Sequence, residues 1–151
     1  IFGVTAWGSR ADIETIGQDV DDLLEHLDAV SPMLYPSHFA DGFGRISSPV
    51  AHPYHFLYQG CQRLRARAAE RGVEVRPWVQ AFDYRVPKYD ATYITEQLYG
   101  AEDGGARGWL LWNPASRYPF EIRAIAEFMA GTAPLLSQEE RRPKPVGSPA
   151  D

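Results

Sequence analysis

The chain has 151 residues, with 15 Lys+Arg against 20 Asp+Glu and a formal net charge of −5. That length suffices for one domain with a real core, and an acidic balance with no basic stripe among aromatics argues against nucleic acid as a partner. A single cysteine, Cys61, rules out an internal disulfide and a Cys-based zinc site, and no apolar run is long enough to span a membrane.

Residues 1–6, IFGVTA, read as a strand with no lead-in, and Trp7-Gly8-Ser9 turns off its end. Because the chain opens on Ile1 in mid-pattern, it is expected to be a fragment whose N-terminal half is missing. The other reading is a processed, complete small α/β domain. From Gly17 the period becomes 3.6, with Val20, Leu23, Leu24 and Leu27 on one helix face. Asp19, Asp21 and Asp22 crowd its first turn, where carboxylates suit the positive end of the helix dipole. Capping explains Asp21 and Asp22 best, which leaves Gln18 and Asp19 as candidates for a site.

The next strand is expected over 30–35, ending in a Pro-bounded turn that carries Tyr35, Ser37 and His38 together, with Gly42 and Gly44 keeping the following loop pliable. The loop 36–53 is long for a βα connection, a sign of function. A helix is predicted over 53–71, opened by Pro53 and stopped by Gly72. Leu57, Cys61, Leu64 and Ala68 form its stripe, so Cys61 reads as a small core residue. Arg63, Arg65, Arg67 and Arg71, with Glu70 among them, read as its solvated face.

A third strand over 73–80 ends at Trp78 and Gln80, with Phe82 and Asp83 just beyond. A helix over 89–101 places Ile94, Leu98 and Ala101 at helical spacing, and Gly104-Gly105 ends it. The fourth strand, 109–112, leads through Asn113 and Pro114 to a last helix over 119–130, with Ile122, Ile125, Ala126 and Met129 as its stripe. Residues 132–151 read as a disordered tail or linker. Four strand–loop–helix units predict parallel strands with right-handed crossovers. A (β/α)8 barrel needs about 250 residues, so four units are half of one.

In parallel α/β architectures ligands bind at the carboxyl ends of the strands. Those ends and the loops after them contribute Trp7, Gln18, Asp19, Tyr35, His38, Trp78, Gln80, Asp83, Trp112 and Asn113, with Ser37, Phe82 and Tyr118 beside them. Flat rings offer apolar contact to the C–H faces of a pyranose, while amides and carboxylates bond its hydroxyl rim. No GxGxxG or Walker pattern is present, so no cofactor is expected. Asp19 and Asp83, and after them Asp41, are the carboxylates on the correct face; Asp28 and Asp103 precede strands. His52 and His55 straddle Pro53 with no carboxylate at ligand spacing, so no metal site is read there.

The motifs SPMLYPSHF (31–39), RPWVQAF (76–82) and GWLLWNPASRY (108–118), in this order, resemble the later part of a glycoside hydrolase family of TIM-barrel fold, first known as a domain of unknown function. The resemblance runs from about Phe2 to Phe128. It implies the C-terminal half of the barrel over 1–131, with hydrolysis of a polysaccharide or glycan by carboxylate acid/base chemistry, which commonly uses two carboxylates. Asp19 and Asp83 would act as acid or supporting carboxylate. Trp7, Gln18, Tyr35, His38, Trp78, Gln80, Trp112 and Asn113 would line the cleft, and the missing half would supply the second carboxylate.

This sequence departs from the family in two ways. The family's acidic motif, a strand ending with Asp followed by Tyr, Arg, Phe and Pro, lies upstream of the part that matches Phe2 and Gly3. Relatives also place an acid directly after the Gln of RPWVQAF, where this chain has Ala81 and carries Asp83 two residues on. Alternation along an extended chain puts those two positions on one side, so Asp83 is expected to substitute. The competing class is a non-catalytic carbohydrate-binding or cell-envelope module; a third reading is a metal-dependent hydrolase using His38 with Asp residues. An extracytoplasmic or cell-envelope setting goes with such a substrate in the full-length protein, although the compartment is not legible.

Overall fold

The computed structural model describes residues 14–137 and 141. The expected strand 1–6 and Trp7 lie outside them. Helix α1 (Val20–Leu24) buries Val20 and Leu24 and is shorter than its pattern, with Leu27 packed beyond its end. Its N-cap is Asp19, whose carboxylate accepts from the Asp21 N–H at 3.0 Å. Asp21 and Asp22 stand in its first turn as expected, while the capping bond itself comes from Asp19, and Asp21 also pairs with Arg67 at 2.9 Å, tying α1 to the next helix. The Arg67 hydrogen bond holds the Asp21 carboxyl below its usual range.

The strands are β1 (Ala29–Val30), β2 (Glu74–Val75), β3 (Trp78–Gln80) and β4 (Leu110–Trp112). All pairing is parallel: β1 with β2, β3 with β4, and a bridge from Met33 to Trp78. The single strands expected over 30–35 and 73–80 are interrupted at Pro32 and Pro77, because proline has no N–H to give a ladder. Both proline carbonyls still accept, from Trp78 N–H and Leu110 N–H at 2.9 Å each, and Arg76 N–H reaches Val30 at 2.9 Å. Three extended segments therefore lie side by side in chain order, in a mixed α/β arrangement with no closed barrel among the described residues.

Helices α2 (Pro53–Ala68), α3 (Ala91–Asp103) and α4 (Glu121–Met129) alternate with them. The α2 stripe packs as its spacing predicts: Leu57, Cys61, Leu64 and Ala68 are all sealed, against Val79 and Ala81 of the β3 segment and Ile94, Leu98 and Ala101 of α3. Each such large apolar side chain contributes about 1.5–3 kcal/mol by burial. Burial pushes the Cys61 thiol up to about 12. The two helices approach closely at Gly100 of α3 and at its C-cap, Gly104: a Cβ on Gly100 would collide with the Tyr54 carbonyl oxygen, and one on Gly104 would lie 2.7 Å from Cys61 Cβ and from Tyr58 O.

Helix α4 presents a face shifted from the one expected, with Ile125 of the expected stripe still packed against the core. Glu121, Ala124 and Phe128 point inward, while Ile122 and Met129 are 67% and 70% exposed. One residue step turns a helix by about 100°, so both sets are legitimate stripes. The Phe128 ring on Tyr99 (centroids 4.8 Å apart) favours the first set. Packing also continues past Gly131, into the stretch read as a tail. Ala133 and Leu136 are buried, and Arg141 bonds Asp103 at 2.8 Å and lies over the Tyr99 ring.

Histidine 55 of α2 gives the fold an acid limit. It is only 8% exposed, edge-on to Phe56, and burial followed by the nearby His52 lowers its pKa from 6.5 to about 4. Between those values the unfolded chain binds a proton that the folded chain refuses. Stability is therefore expected to fall as pH drops, by about 2 kcal/mol between pH 7 and pH 5. Urea unfolding at the two pH values checks this: His55→Phe should flatten the dependence by that amount, and an unchanged slope in the variant would refute it.

Candidate active site

Where β1 ends, Pro36–His38 forms one 3₁₀ turn, closed by His38 N–H on the Tyr35 carbonyl at 3.0 Å. Tyr35 and Ser37 are buried and His38 is exposed. The Tyr35 ring meets His38 edge-on at 5.1 Å and Phe82, from the loop after β3, at 5.5 Å; His38 and Phe82 are 6.1 Å apart. Burial lowers the His38 pKa below 6.5, so its imidazole is neutral at pH 7. Burial, then the neighbouring Tyr118, raises the Tyr35 hydroxyl beyond the ordinary phenol range and keeps it protonated.

Gln80 is the strut beneath these rings. It is fully buried, its Oε1 accepts from Ser37 N–H at 3.1 Å, and its Nε2 donates to the Phe82 carbonyl at 3.0 Å and to Tyr84 at 3.4 Å. Its backbone N–H points to the side from which β1 has already departed. There the Gln97 amide of α3 takes the place of a strand: Oε1 accepts from Gln80 N–H at 2.9 Å and Nε2 donates to Gln80 O at 3.0 Å. Gln80, expected at the site, holds the loop with Ser37 and the loop with Phe82 together. Arg85, in the left-handed region at φ 60°, adds a second tie, donating to Ser37 O at 3.0 Å and to Phe39 O at 3.4 Å, and contacting Asp41 at 3.3 Å.

Beside this cluster Trp78 and Trp112 meet edge-on at 6.0 Å, and Trp112 is 46% exposed. Asn113 behaves like Gln80: its Nδ2 donates to the Ala81 carbonyl and its Oδ1 accepts from Ala115 N–H at 2.8 Å, an Asx turn. The expected equivalence of Ala81 and Asp83 fails. Ala81 is sealed in the core, whereas the chain bends at Phe82 and Asp83 opens an exposed turn closed by Val86 N–H at 3.0 Å. Asp83 does act on Tyr89. Burial raises that hydroxyl most, followed by its hydrogen bond to Glu121 and by charge from Glu121 and Asp83. Glu121, at the start of α4, is 1% exposed, accepting from Tyr89 Oη at 2.5 Å and from Phe120 N–H at 3.1 Å. Gln18 and Asp19 stand at the start of α1, half buried.

A family model described as putative glycosyl hydrolase domain matches residues 1–118. The chain belongs to that family. Searches of curated proteins and of solved structures gave no significant match. The ring cluster, both tryptophans and Asp83 fall within the span of the glycosyl hydrolase match, and α4 with Glu121 falls beyond it.

For a glycosyl hydrolase domain the arrangement is chemically apt: an exposed indole at the end of β4, and a neutral imidazole, a protonated phenol and an exposed carboxylate on loops that follow parallel strands. Among the described residues no three His, Cys, Asp or Glu side chains gather as a metal site requires, and no helix is long and apolar enough to cross a membrane. Three contributors escaped the sequence reading. Gln97 had a visible signal, being a lone amide in the apolar stripe of Ile94, Leu98 and Ala101. Arg85 had none, since its role depends on a backbone turn. Glu121 at a helix start looks like any residue favoured by the dipole.

Proposed function

We propose that the chain is the C-terminal half of a (β/α)8 barrel and that, with the other half, it hydrolyses a polysaccharide or glycan. The observation that carries this reading is the Tyr35–His38–Phe82 cluster with Trp112 beside it, at the carboxyl ends of parallel strands, in a glycosyl hydrolase family member. The adjacency of the strands in chain order supports the barrel, because a barrel adds each parallel strand next to its predecessor.

In this reading the face of Trp112 carries a sugar ring and His38 and Tyr35 bond its hydroxyls. Asp83, exposed and flanked by Tyr89, serves as the acid or supporting carboxylate. Gln18, Asp19, Trp78, Gln80 and Asn113 complete the wall, the last two through the loops they hold, and Trp7 is assigned to it on the family match. In a protein that includes the other half, Asp83→Asn should lower turnover roughly a hundredfold while binding persists. Asp19→Asn, which preserves the helix cap, should leave turnover within a few-fold of wild type. Full turnover in Asp83→Asn refutes the assignment.

One observation favours the second reading, a non-catalytic carbohydrate-binding module. Ala81, directly after Gln80, is sealed in the core and offers no carboxylate there, and Glu121 is sealed as well. Quenching of tryptophan fluorescence by glycan with no release of reducing ends would establish it.

A further inference from the structure

At the opposite ends of the strands from the ring cluster lies a second concavity, of about 430 Å³. Arg65, Gly72, Glu74, Val75, Gly105 and Arg107 line it, where α2 and α3 end and β2 begins. Arg65 and Arg107 are exposed, and among the described residues neither guanidinium has a hydrogen bond or an ion pair. Glu74, the carboxylate among these residues, is already engaged, with Arg76 Nη2 2.5 Å from its Oε2. Two cations without a carboxylate partner therefore border one space, in a chain whose net charge is −5.

An arginine near a helix C-terminus ordinarily serves the last carbonyls and the negative end of the dipole. Here backbone N–H groups take those carbonyls. Behind α2, Gly72 N–H bonds Ala69 O and Val73 N–H bonds Ala68 O, both at 3.2 Å; at the end of α3, Gly105 N–H bonds Glu102 O at 2.8 Å and Ala106 N–H bonds Ala101 O at 2.9 Å. The dipoles remain, but two helix ends amount to about one negative charge, against the two positive charges of the guanidiniums. The balance favours an anion. Arg65 is also held in place: a Cβ on Gly105, whose φ is +84°, would collide with Arg65 Cδ and lie 2.9 Å from its Nε, so the bare glycine lets this side chain lie across the end of α3.

The pair of cations narrows the ligand class. A guanidinium is always charged, and its planar fork matches the oxygens of a carboxylate or a phosphate. One carboxylate would answer only one of the two, whereas a phosphate monoester carries roughly −1.5 to −2 at pH 7. The volume lies within the roughly 300–1,000 Å³ of small-molecule sites, which leaves room for a body carrying the phosphate. We propose that this cavity binds a phosphoryl group between Arg65 and Arg107. The free anion and a phosphate ester share that chemistry, and neither depends on the glycan reading above.

The test is an amide NMR titration of the whole 151-residue chain, at constant ionic strength, with inorganic phosphate, glucose 6-phosphate, glucuronate and glucose. Amides of Gly72, Gly105 and Arg107 report the cavity, and those of Tyr35, His38 and Phe82 report the ring cluster. Both phosphates should give saturable shifts at the cavity in the millimolar range, glucuronate should bind there at least tenfold more weakly, and glucose should cause no shift there. Arg65→Gln and Arg107→Gln should each weaken phosphate binding about tenfold, the worth of one charge-assisted hydrogen bond. The melting temperature should stay the same, since neither guanidinium has a partner to lose. Arg107→Gln, outside any helix, carries the test if Arg65→Gln does not fold. Tighter binding of glucose 6-phosphate than of inorganic phosphate supports the site and assigns it to an ester; equal binding supports it and assigns it to the free anion. No saturable shift at the cavity overturns the proposal, as do shifts that survive both variants or glucuronate binding as tight as phosphate. Shifts caused by glucose at the ring cluster bear on the glycan reading alone.

Discussion

Gly100→Ala is expected to destabilise the chain by about 3 kcal/mol, which at this size lowers the melting temperature by roughly 6–12 °C. Two effects oppose each other here. Replacing glycine by alanine inside a helix ordinarily stabilises it by up to about 1 kcal/mol. At Gly100, however, the new methyl would run into the Tyr54 carbonyl oxygen, 3.0 Å from Tyr54 C and 3.1 Å from Leu57 Cβ. Two of these atoms are helix backbone, which cannot rotate away as the end of a side chain can. Relief requires α3 to separate from α2, loosening Ile94, Leu98 and Ala101 from Leu57, Cys61 and Leu64 all at once. A calorimetric melt settles the sign: a variant as stable as the parent would mean that the helices are farther apart than described.

Gln80→Leu should lower stability by about 3 kcal/mol and abolish glycan binding together. Leucine matches the volume but leaves the Ser37 N–H and the Phe82 carbonyl without the partners they have in the parent. A buried polar group deprived of its partner costs about 1–3 kcal/mol. The functional effect follows from the same two bonds, since they hold the loop with Tyr35 and His38 against the loop with Phe82. Chemical denaturation and a binding titration on one sample test both halves. Normal binding in a destabilised variant would show that the rings do not need the strut.

The parts of the fold legible in the sequence were those with one dominant local signal. Helix α2 has a single apolar stripe between Pro53 and Gly72, and all four stripe residues are sealed. Helix α4 carries two overlapping stripes, and only the encounter of Phe128 with Tyr99, twenty-nine residues earlier, chooses between them. The interruptions at Pro32 and Pro77 went unread within the apolar runs 30–35 and 73–80, although a residue without an N–H cannot sustain a ladder. The expected site residues were chosen by place and type, which does not separate side chains open to solvent from those engaged with backbone. Trp112 and His38 are open to solvent, whereas Gln80 and Asn113, equally polar and equally near strand ends, are engaged with backbone 43 and 32 positions away. Nothing local distinguishes an amide of one kind from the other. The Asp21 ion pair was hidden for a similar reason, since Arg67 lies on another helix.

Cys61 has a practical meaning beyond packing. The thiol is sealed at the crossing of α2 and α3, beside Gly104, and its proton is held far above neutral pH. An alkylating reagent reacts with the thiolate and must reach it. In the native chain both conditions fail until the two helices part, so the rate of modification counts how often they do so. The protein thus carries a clock for its own breathing, set at the joint between α2 and α3 and free of any competing sulfhydryl.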